Sequence, residues 1–146
     1  MKAIIQRVSC ANVIIEGKTA AEIGFGLLVL LGVSVGDTPS DADFLAKKIA
    51  LMRIFCDSEE KMNLSVQDVS GSVIAVSNFT LYADASHGNR PSFIAAARPE
   101  IAEPLYERFV LKLLENGVKN VQTGVFGADM KVCIENDGPV TIILES

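Results

Sequence analysis

The chain has 146 residues, 49% of them hydrophobic and 21% charged, with a formal net charge of −5. That much apolar material can form a core, which excludes a disordered chain, and the negative charge argues against broad, salt-driven affinity for nucleic acid. The three cysteines, Cys10, Cys56 and Cys133, have neither metal-ligand nor redox spacing, so we expect reduced, buried thiols. No segment has the shape of a signal peptide or the length of a membrane span. We therefore expect a single cytoplasmic domain covering residues 1–146.

The first half of the chain predicts strands followed by a helix. Residues 3–8, 12–16 and 19–23 are strand-like, with a turn at 17–18, and residues 27–33 suit a strand buried on both faces. Residues 40–55 have a helical period, because Leu45, Ile49, Met52 and Cys56 fall on one stripe. Asp37 or Ser40 is the expected cap of that helix.

The second half predicts one more buried strand, a second helix and three short strands. Residues 58–61 and 83–92 are polar loops on either side of a strand at 73–79. A helix over 99–115 is predicted by apolar residues at every fourth position, by Pro104 near its start and by Gly117 after its end. Strands at 121–126, 130–134 and 140–144 follow. This order indicates a mixed sheet or open barrel with helices on one face.

Few side chains in this sequence are suited to metal binding or to general-base catalysis. The only histidine, His87, lies in a polar loop, and no cluster of His, Cys, Asp or Glu has ligand spacing. A solvated loop histidine is the simpler interpretation of His87, although a Cys–His pair formed in space remains open. We therefore predict no metal and no cofactor.

Three motifs each allow a functional and a structural interpretation. Residues 77–81, Ser-Asn-Phe-Thr-Leu, place polar groups at a strand end, where they either line a pocket or form turn bonds. Residues 88–92, Gly-Asn-Arg-Pro-Ser, offer one cation, Arg90, for an anion or for solvent. Residues 136–141, Asn-Asp-Gly-Pro-Val-Thr, form either a hairpin turn or, if the Gly-Pro bond is cis, a pocket lined by backbone carbonyls.

Together these motifs resemble those of the D-aminoacyl-tRNA deacylase family. Residues 77–81 are similar to the family's Ser-Gln-Phe-Thr-Leu, residues 88–92 to its Arg-Pro-Ser loop, and residues 136–141 to its Asn-x-Gly-Pro-Val-Thr. Segments 6–8, 26–33, 61–64 and 126–130 also look like family segments, in the expected order along the whole chain. Asn78 departs from the family, which commonly has Gln there, so its hydrogen bond would need a shifted partner or a bridging water.

The resemblance implies a homodimer with a three-layer α/β/β fold, mixed and largely antiparallel barrel-like sheets, and active sites at the dimer interface. In that family, the residues lining the pocket for the terminal adenosine and the ester would be Ser77, Asn78, Phe79 and Thr80. A cis Gly138-Pro139 turn, braced by Arg7, would enter from the partner subunit. Residues implied to close or line the substrate site are Phe126, Met130, Arg90, Pro91 and Ser92.

The implied activity is hydrolysis of the ester of D-aminoacyl-tRNAs, with glycine mischarged on tRNA(Ala) also accepted. A rigid backbone wall can exclude every L side chain, whereas favourable contacts with varied D side chains cannot. In the family the 2′-hydroxyl of the substrate helps to activate water; a covalent Thr80 nucleophile is the alternative, but no base beside it is evident.

Two other functions stay open from the sequence: a non-catalytic module that binds tRNA ends, and a hydrolase of some other small ester. The partners expected are the aminoacyl-tRNA 3′ end and a second copy of the chain, with no membrane. The candidates for phosphate contacts are Lys47, Lys48, Arg53, Arg90 and Arg98. The sequence does not indicate a preference among D-amino acids.

Overall fold

The computed structural model describes residues 1–146 and contains eight strands, two α-helices and a 3₁₀ helix. The strands are β1 Lys2–Ile15, β2 Lys18–Ile23, β3 Gly26–Gly32, β4 Phe55–Cys56, β5 Met62–Leu64, β6 Ser72–Ser77, β7 Val121–Thr123 and β8 Lys131–Glu145. The helices are α1 Pro39–Ala50, the 3₁₀ helix Phe79–Tyr82 and α2 Pro99–Glu115. Neither α-helix has the length and apolarity needed to cross a membrane.

Six strands form one mixed sheet in the order β2-β1-β3-β6-β7, with β8 also paired to β1. The pairs β3–β6 and β6–β7 are parallel, and the pairs that involve β1 are antiparallel. Because β2 returns to contact β6 and β7, the sheet curls into a nearly closed barrel. The predicted mixed α/β fold with a barrel-like sheet is therefore confirmed.

Both faces of this sheet are packed, which explains the continuous apolar run of β3. One face carries the larger core, in which Leu27, Val29 and Leu31 pack with buried residues of α1 and α2. Leu28 points to the other face, where a smaller core forms with residues of β1, β2 and β6. Alternate residues of β3 thus serve opposite cores, as expected for a strand buried on both sides.

Two long strands replace pairs of predicted short ones. The segments predicted at 3–8 and 12–16 form one strand, β1, which pairs with β3 over its first half and β2 over its second. The segments predicted at 130–134 and 140–144 likewise belong to β8, which follows β1 along its length. Of the two interpretations of residues 136–141, the hairpin turn is therefore wrong. That segment is a bulge within β8, since Asn136 pairs with Val8 and Thr141 with Gln6.

Helix α1 ends at Ala50, five residues before the predicted end. Tertiary hydrogen bonds take the backbone out of the helix: Gln67 Nε2 donates to Ala50 O at 2.9 Å, and Arg7 donates to Ile54 O at 2.7 Å. Met52 and Cys56 therefore leave the helical stripe. The cap is Thr38, not Asp37 or Ser40, because Asp41 Oδ2 accepts from the Thr38 backbone N–H at 2.8 Å and from its hydroxyl at 2.7 Å.

Helix α2 spans residues 99–115, as predicted, and buries Leu105, Phe109 and Leu113, whereas Ile101 of the predicted stripe is exposed. The strand predicted at 121–126 is shorter, with only Val121–Thr123 in β7. The strand predicted at 73–79 ends at Ser77. The expectation of buried thiols is wrong, since all three cysteines are exposed in this chain and none is bonded to another. They lie in strands whose outward-facing side is open.

Candidate active site

A cavity of about 810 Å³ opens where β6 ends. Its walls come from four parts of the chain: the end of β3, the strand end and 3₁₀ helix at 76–80, the segment around 93–106 that leads into α2, and residues 126–132. Most of the lining is apolar, and a few polar groups converge on it. Such a concave, apolar site with a few polar groups is typical of a binding site for a small molecule or for one end of a larger ligand.

The strand-end motif forms one wall of this cavity, since Ser77, Asn78, Phe79 and Thr80 all line it. The chain leaves β6 at Asn78, whose N–H donates to Leu31 O at 2.8 Å. Asn78 Oδ1 then accepts from the Thr80 N–H at 3.1 Å and from the Thr80 hydroxyl, which caps the 3₁₀ helix. The motif therefore makes turn bonds and lines a pocket at once. The shorter amide of Asn78 finds its partner two residues along the chain.

Aromatic rings lie at the mouth and floor of the cavity. Phe79 is 57% exposed and meets Phe93 edge to face, with their ring centroids 5.2 Å apart. Deeper in, the rings of Tyr106 and Phe126 lie 6.1 Å apart. An exposed pair of aromatic rings beside a cavity can stack against a planar base.

The side chains that line the cavity include no histidine and no lysine, and Asp129 is the only carboxylate among them. Tyr106 is buried and donates to Ala75 O at 2.9 Å, and burial raises its pKa to about 12, so its hydroxyl stays protonated. His87 and the three cysteines are exposed and lie outside the lining. The Cys–His pair left open by the sequence is therefore not assembled at this cavity.

The bulge of β8 presents Gly138 and Pro139 to solvent, and the peptide bond between them is cis. Four residues, 137–140, stand opposite the single residue Arg7 of β1. The amide of Asn136 spans the base of the bulge, because its Oδ1 accepts from Val140 N at 2.9 Å and its Nδ2 donates to Val140 O at 3.2 Å. One side-chain amide thus supplies both hydrogen bonds that a ladder would otherwise provide.

The side chain of Arg7, in β1, holds the bulge in place through hydrogen bonds and an ion pair. Its side chain is only 9% exposed; Nε lies 2.9 Å from Asp137 Oδ2 and donates to Asp137 O at 3.2 Å, while Nη1 donates to Ile54 O. The guanidinium fork can bind several acceptors at once in a fixed geometry. Arg7 therefore connects the bulge to β1 and to the segment after α1.

The predicted site residues fall into three groups. Phe126 and Met130 line the cavity with residues 77–80, whereas Arg7, Gly138 and Pro139 do not line the cavity of their own chain. Arg90, Pro91 and Ser92 also lie outside it, in an exposed loop closed by paired backbone bonds between Asp84 and Ser92. The lining residues that the sequence did not predict include Phe93, Tyr106 and Asp129. Phe93 directly follows the Arg-Pro-Ser loop and Asp129 lies in the family-like segment 126–130, whereas no local signal marked Tyr106.

The family model described as D-Tyr-tRNA(Tyr) deacylase matches residues 4–145. The chain belongs to this family. Curated relatives named D-aminoacyl-tRNA deacylase include those of Flavobacterium johnsoniae, 56% identical, and Koribacter versatilis, 57% identical; each match covers all of this chain and 97% of the relative. The relative from Thermosipho melanesiensis, with the same name, is 53% identical over the same shares.

Two solved structures have the same fold over nearly their whole length. One, described as a c-Myc DNA unwinding element binding protein, is 41% identical with a TM-score of 0.94, and the match covers 100% of this chain and 99% of the other. The second, a probable eukaryotic D-amino acid tRNA deacylase, is 16% identical with a TM-score of 0.82, and covers 99% and 98% of the two chains. At that identity the second comparison supports the fold alone.

Proposed function

We propose that this protein hydrolyses the ester bond of D-aminoacyl-tRNAs, releasing the free amino acid and tRNA, in the cytoplasm where charged tRNAs are used. The observation that carries the proposal is the family match over residues 4–145 together with the position of residues 77–80 in the cavity wall. An ester-cleaving site needs room for the acyl group and polar groups at the reacting carbon. This cavity has both.

The terminal adenosine of the tRNA is the part of the substrate that best suits the cavity mouth. Phe79 and Phe93 expose aromatic surface there, and base–aromatic stacking contributes about 1–3 kcal/mol per base. The ribose would then lie against residues 77–80, with the ester directed into the apolar interior.

The chirality filter is proposed to be the Gly138-Pro139 bulge of a partner subunit in a homodimer, which would give the assembly its three α/β/β layers. Three observations support this: the bulge is exposed, it does not line its own cavity, and Arg7 and Asn136 hold it rigidly. A rigid wall of main chain can exclude an L side chain by steric overlap while it accepts any D side chain. Glycine has no side chain, so glycine esterified to tRNA(Ala) would also be accepted.

Hydrolysis is proposed to proceed without a protein nucleophile. A water molecule adds to the ester carbonyl, the bond to the ribose oxygen breaks, and the proton of the water leaves with the ribose hydroxyl. The Thr80 hydroxyl donates to the Asn78 amide oxygen, which is not a base, and no base is hydrogen-bonded to Thr80 that would activate it as a nucleophile. The neighbouring 2′-hydroxyl of the substrate can assist the water instead, with the protein orienting the ester.

Turnover of D-Tyr-tRNA by catalytic amounts of the pure protein, compared with D-tyrosine methyl ester, tests the proposed function. We expect rapid hydrolysis of the tRNA ester and little of the small ester, because binding of the RNA positions the reacting group. Stoichiometric tRNA binding without hydrolysis would favour the non-catalytic module. Equal turnover of both substrates would favour a small-ester hydrolase.

Two unpaired cations beside the cavity are proposed to contact the RNA backbone. Arg98 directly follows the lining residue Ala97, Lys131 lies between Met130 and Val132, and neither forms an ion pair within the chain. Arg98→Gln and Lys131→Gln should each weaken tRNA binding and lower the slope of log Kd against log salt by about 1. The matched control is Lys119→Gln, an exposed lysine after α2 that does not line the cavity and forms no ion pair within the chain. Unchanged slopes in both variants would place the phosphates elsewhere.

A further inference from the structure

Gly124 is the position at which the chain leaves β7, and its backbone is fixed against β6. It directly follows Thr123, the last residue of β7, and its N–H donates to Ala75 O at 3.2 Å. The φ angle of Gly124 lies outside the left-handed region, so an alanine would fit the backbone at this position. A need for glycine here therefore comes from the surroundings of the residue and not from its backbone conformation.

The side chain of Met130 occupies the space in which a side chain of residue 124 would lie. A Cβ added to Gly124 would lie 2.5 Å from Met130 Sδ and 3.6 Å from Met130 Cε. The first of these distances is far below van der Waals contact, so the sulfur and an alanine at position 124 cannot both occupy these places. The thioether end of Met130 therefore packs directly against the bare backbone of Gly124.

Met130 lies between the smaller core and the cavity. It packs against the core cluster that contains Val13, and it also lines the cavity, on the wall formed by residues 126–132. Val13 is fully buried, and its Cγ1 would lie 3.9 Å from the Cβ added to Gly124. A close-packed core has no room for a displaced side chain, whereas the cavity has. Because methionine is flexible, a thioether pushed off Gly124 would move into the cavity.

The acyl side chain of the substrate is the group that such a displacement would affect, because the ester is proposed to point into this apolar interior. We propose that Gly124 is a positioning residue, which keeps the Met130 thioether out of the cavity and thereby sets the space available for a bulky D side chain. This role rests on the proposed function. It adds a limit on the size of the acyl group to the limit on its configuration that the bulge would impose.

One tRNA charged with either D-tyrosine or D-alanine tests this role of Gly124, because the two substrates differ only in the acyl side chain. We expect Gly124→Ala to lower kcat/KM for the D-tyrosyl ester by about 10-fold or more and to change kcat/KM for the D-alanyl ester by less than about 2-fold, since a methyl group needs little of the space that the thioether would fill. The ratio of the two values does not depend on the fraction of folded protein, so partial unfolding of the variant would not imitate the effect.

Gly24→Ala is the matched control. A Cβ added to Gly24, which is exposed, would meet nothing within 4 Å, and its φ also lies outside the left-handed region. Both values of kcat/KM should therefore stay unchanged in this variant.

The double variant assigns the effect to Met130. Met130→Ala removes the thioether, so the further addition of Gly124→Ala should change neither value of kcat/KM. If the two positions were independent, the effects of the two substitutions would multiply, and that result would show that Gly124 does not act through Met130.

The outcomes with the two esters separate the role of Gly124 from the proposed function. Failure of the native protein to hydrolyse either ester would overturn the proposed function. If the native protein hydrolyses both esters, an equal fall on both in Gly124→Ala, or no fall on either, would leave the deacylase function intact and overturn the role of Gly124.

Discussion

Replacing Gly138 with alanine is expected to lower kcat/KM for D-Tyr-tRNA by on the order of 100-fold, the typical cost of displacing a positioning group by about 1 Å. Gly138 has φ +130°, which L side chains rarely adopt, and an added Cβ would lie 2.9 Å from Val140 N and 2.7 Å from Val140 Cγ2. The bulge would have to shift to relieve this overlap. Initial rates on D-Tyr-tRNA and the melting temperature measure the two effects separately.

Gly17→Ala is the matched control for this substitution. Gly17 also has a positive φ, +77°, but an added Cβ there would meet nothing within 4 Å, and the residue lies in the β1–β2 turn. We expect a loss of about 1 kcal/mol in the free energy of unfolding and no loss of activity. Wild-type activity of the Gly138→Ala protein would exclude the bulge from the site.

Mixing two defective chains tests whether the bulge acts across a dimer interface. Gly138→Ala disables the bulge, and Ala128→Trp fills the cavity, so each homodimer should be inactive. When equal amounts of the two chains re-pair at random, half of the dimers are mixed, and each mixed dimer has one site in which an intact cavity faces an intact bulge. About a quarter of the wild-type number of active sites should therefore be restored. No recovery in a mixture shown to contain mixed dimers would mean that the bulge does not act from the partner.

Removing the Arg7 side chain is expected to have the largest effect on stability. Arg7→Met deletes the buried donor to Ile54 O and both contacts with Asp137, and we expect a loss of about 2–4 kcal/mol in the free energy of unfolding. The loosened bulge should also lower kcat/KM by about 10-fold or more when measured well below the melting temperature. Urea denaturation and initial rates provide the two values.

Arg108→Met provides the comparison for Arg7. Arg108 pairs with Asp43 through both carboxylate oxygens, at 2.7 and 2.8 Å, but its side chain is 41% exposed. Loss of this exposed pair should cost about 1 kcal/mol or less and leave activity unchanged. Equal effects of the two substitutions would show that Arg7 has no special role at the bulge.

Local sequence signals predicted helix α2 well and helix α1 poorly. In α2, Pro104 near the start, Gly117 past the end and the four-residue repeat all agree. In α1, Met52 and Cys56 continue the apolar stripe, yet the helix stops at Ala50, because Gln67 and Arg7 bind carbonyls there from distant segments. Such tertiary bonds have no local signature in the sequence.

The same limit applies to the site. The strand-end motif could be predicted, because polar residues directly follow an apolar strand. A hairpin turn was one of two interpretations of the bulge, because Gly-Pro is typical of turns and the pairing of β8 with β1 across more than 100 residues is not visible in the sequence. Phe93, Tyr106 and Asp129 come from separate segments, and only the fold brings them to one cavity.

The most direct test of the account is the hydrolysis of matched D-Tyr-tRNA and L-Tyr-tRNA, with Gly-tRNA(Ala) as a third substrate, by catalytic amounts of the protein. We expect rapid loss of the D-tyrosyl and glycyl esters and no measurable loss of the L-tyrosyl ester, because a backbone wall excludes only a side chain of the L configuration. Equal hydrolysis of the D and L esters would contradict the chirality filter, and no hydrolysis of any ester would contradict the deacylase function itself.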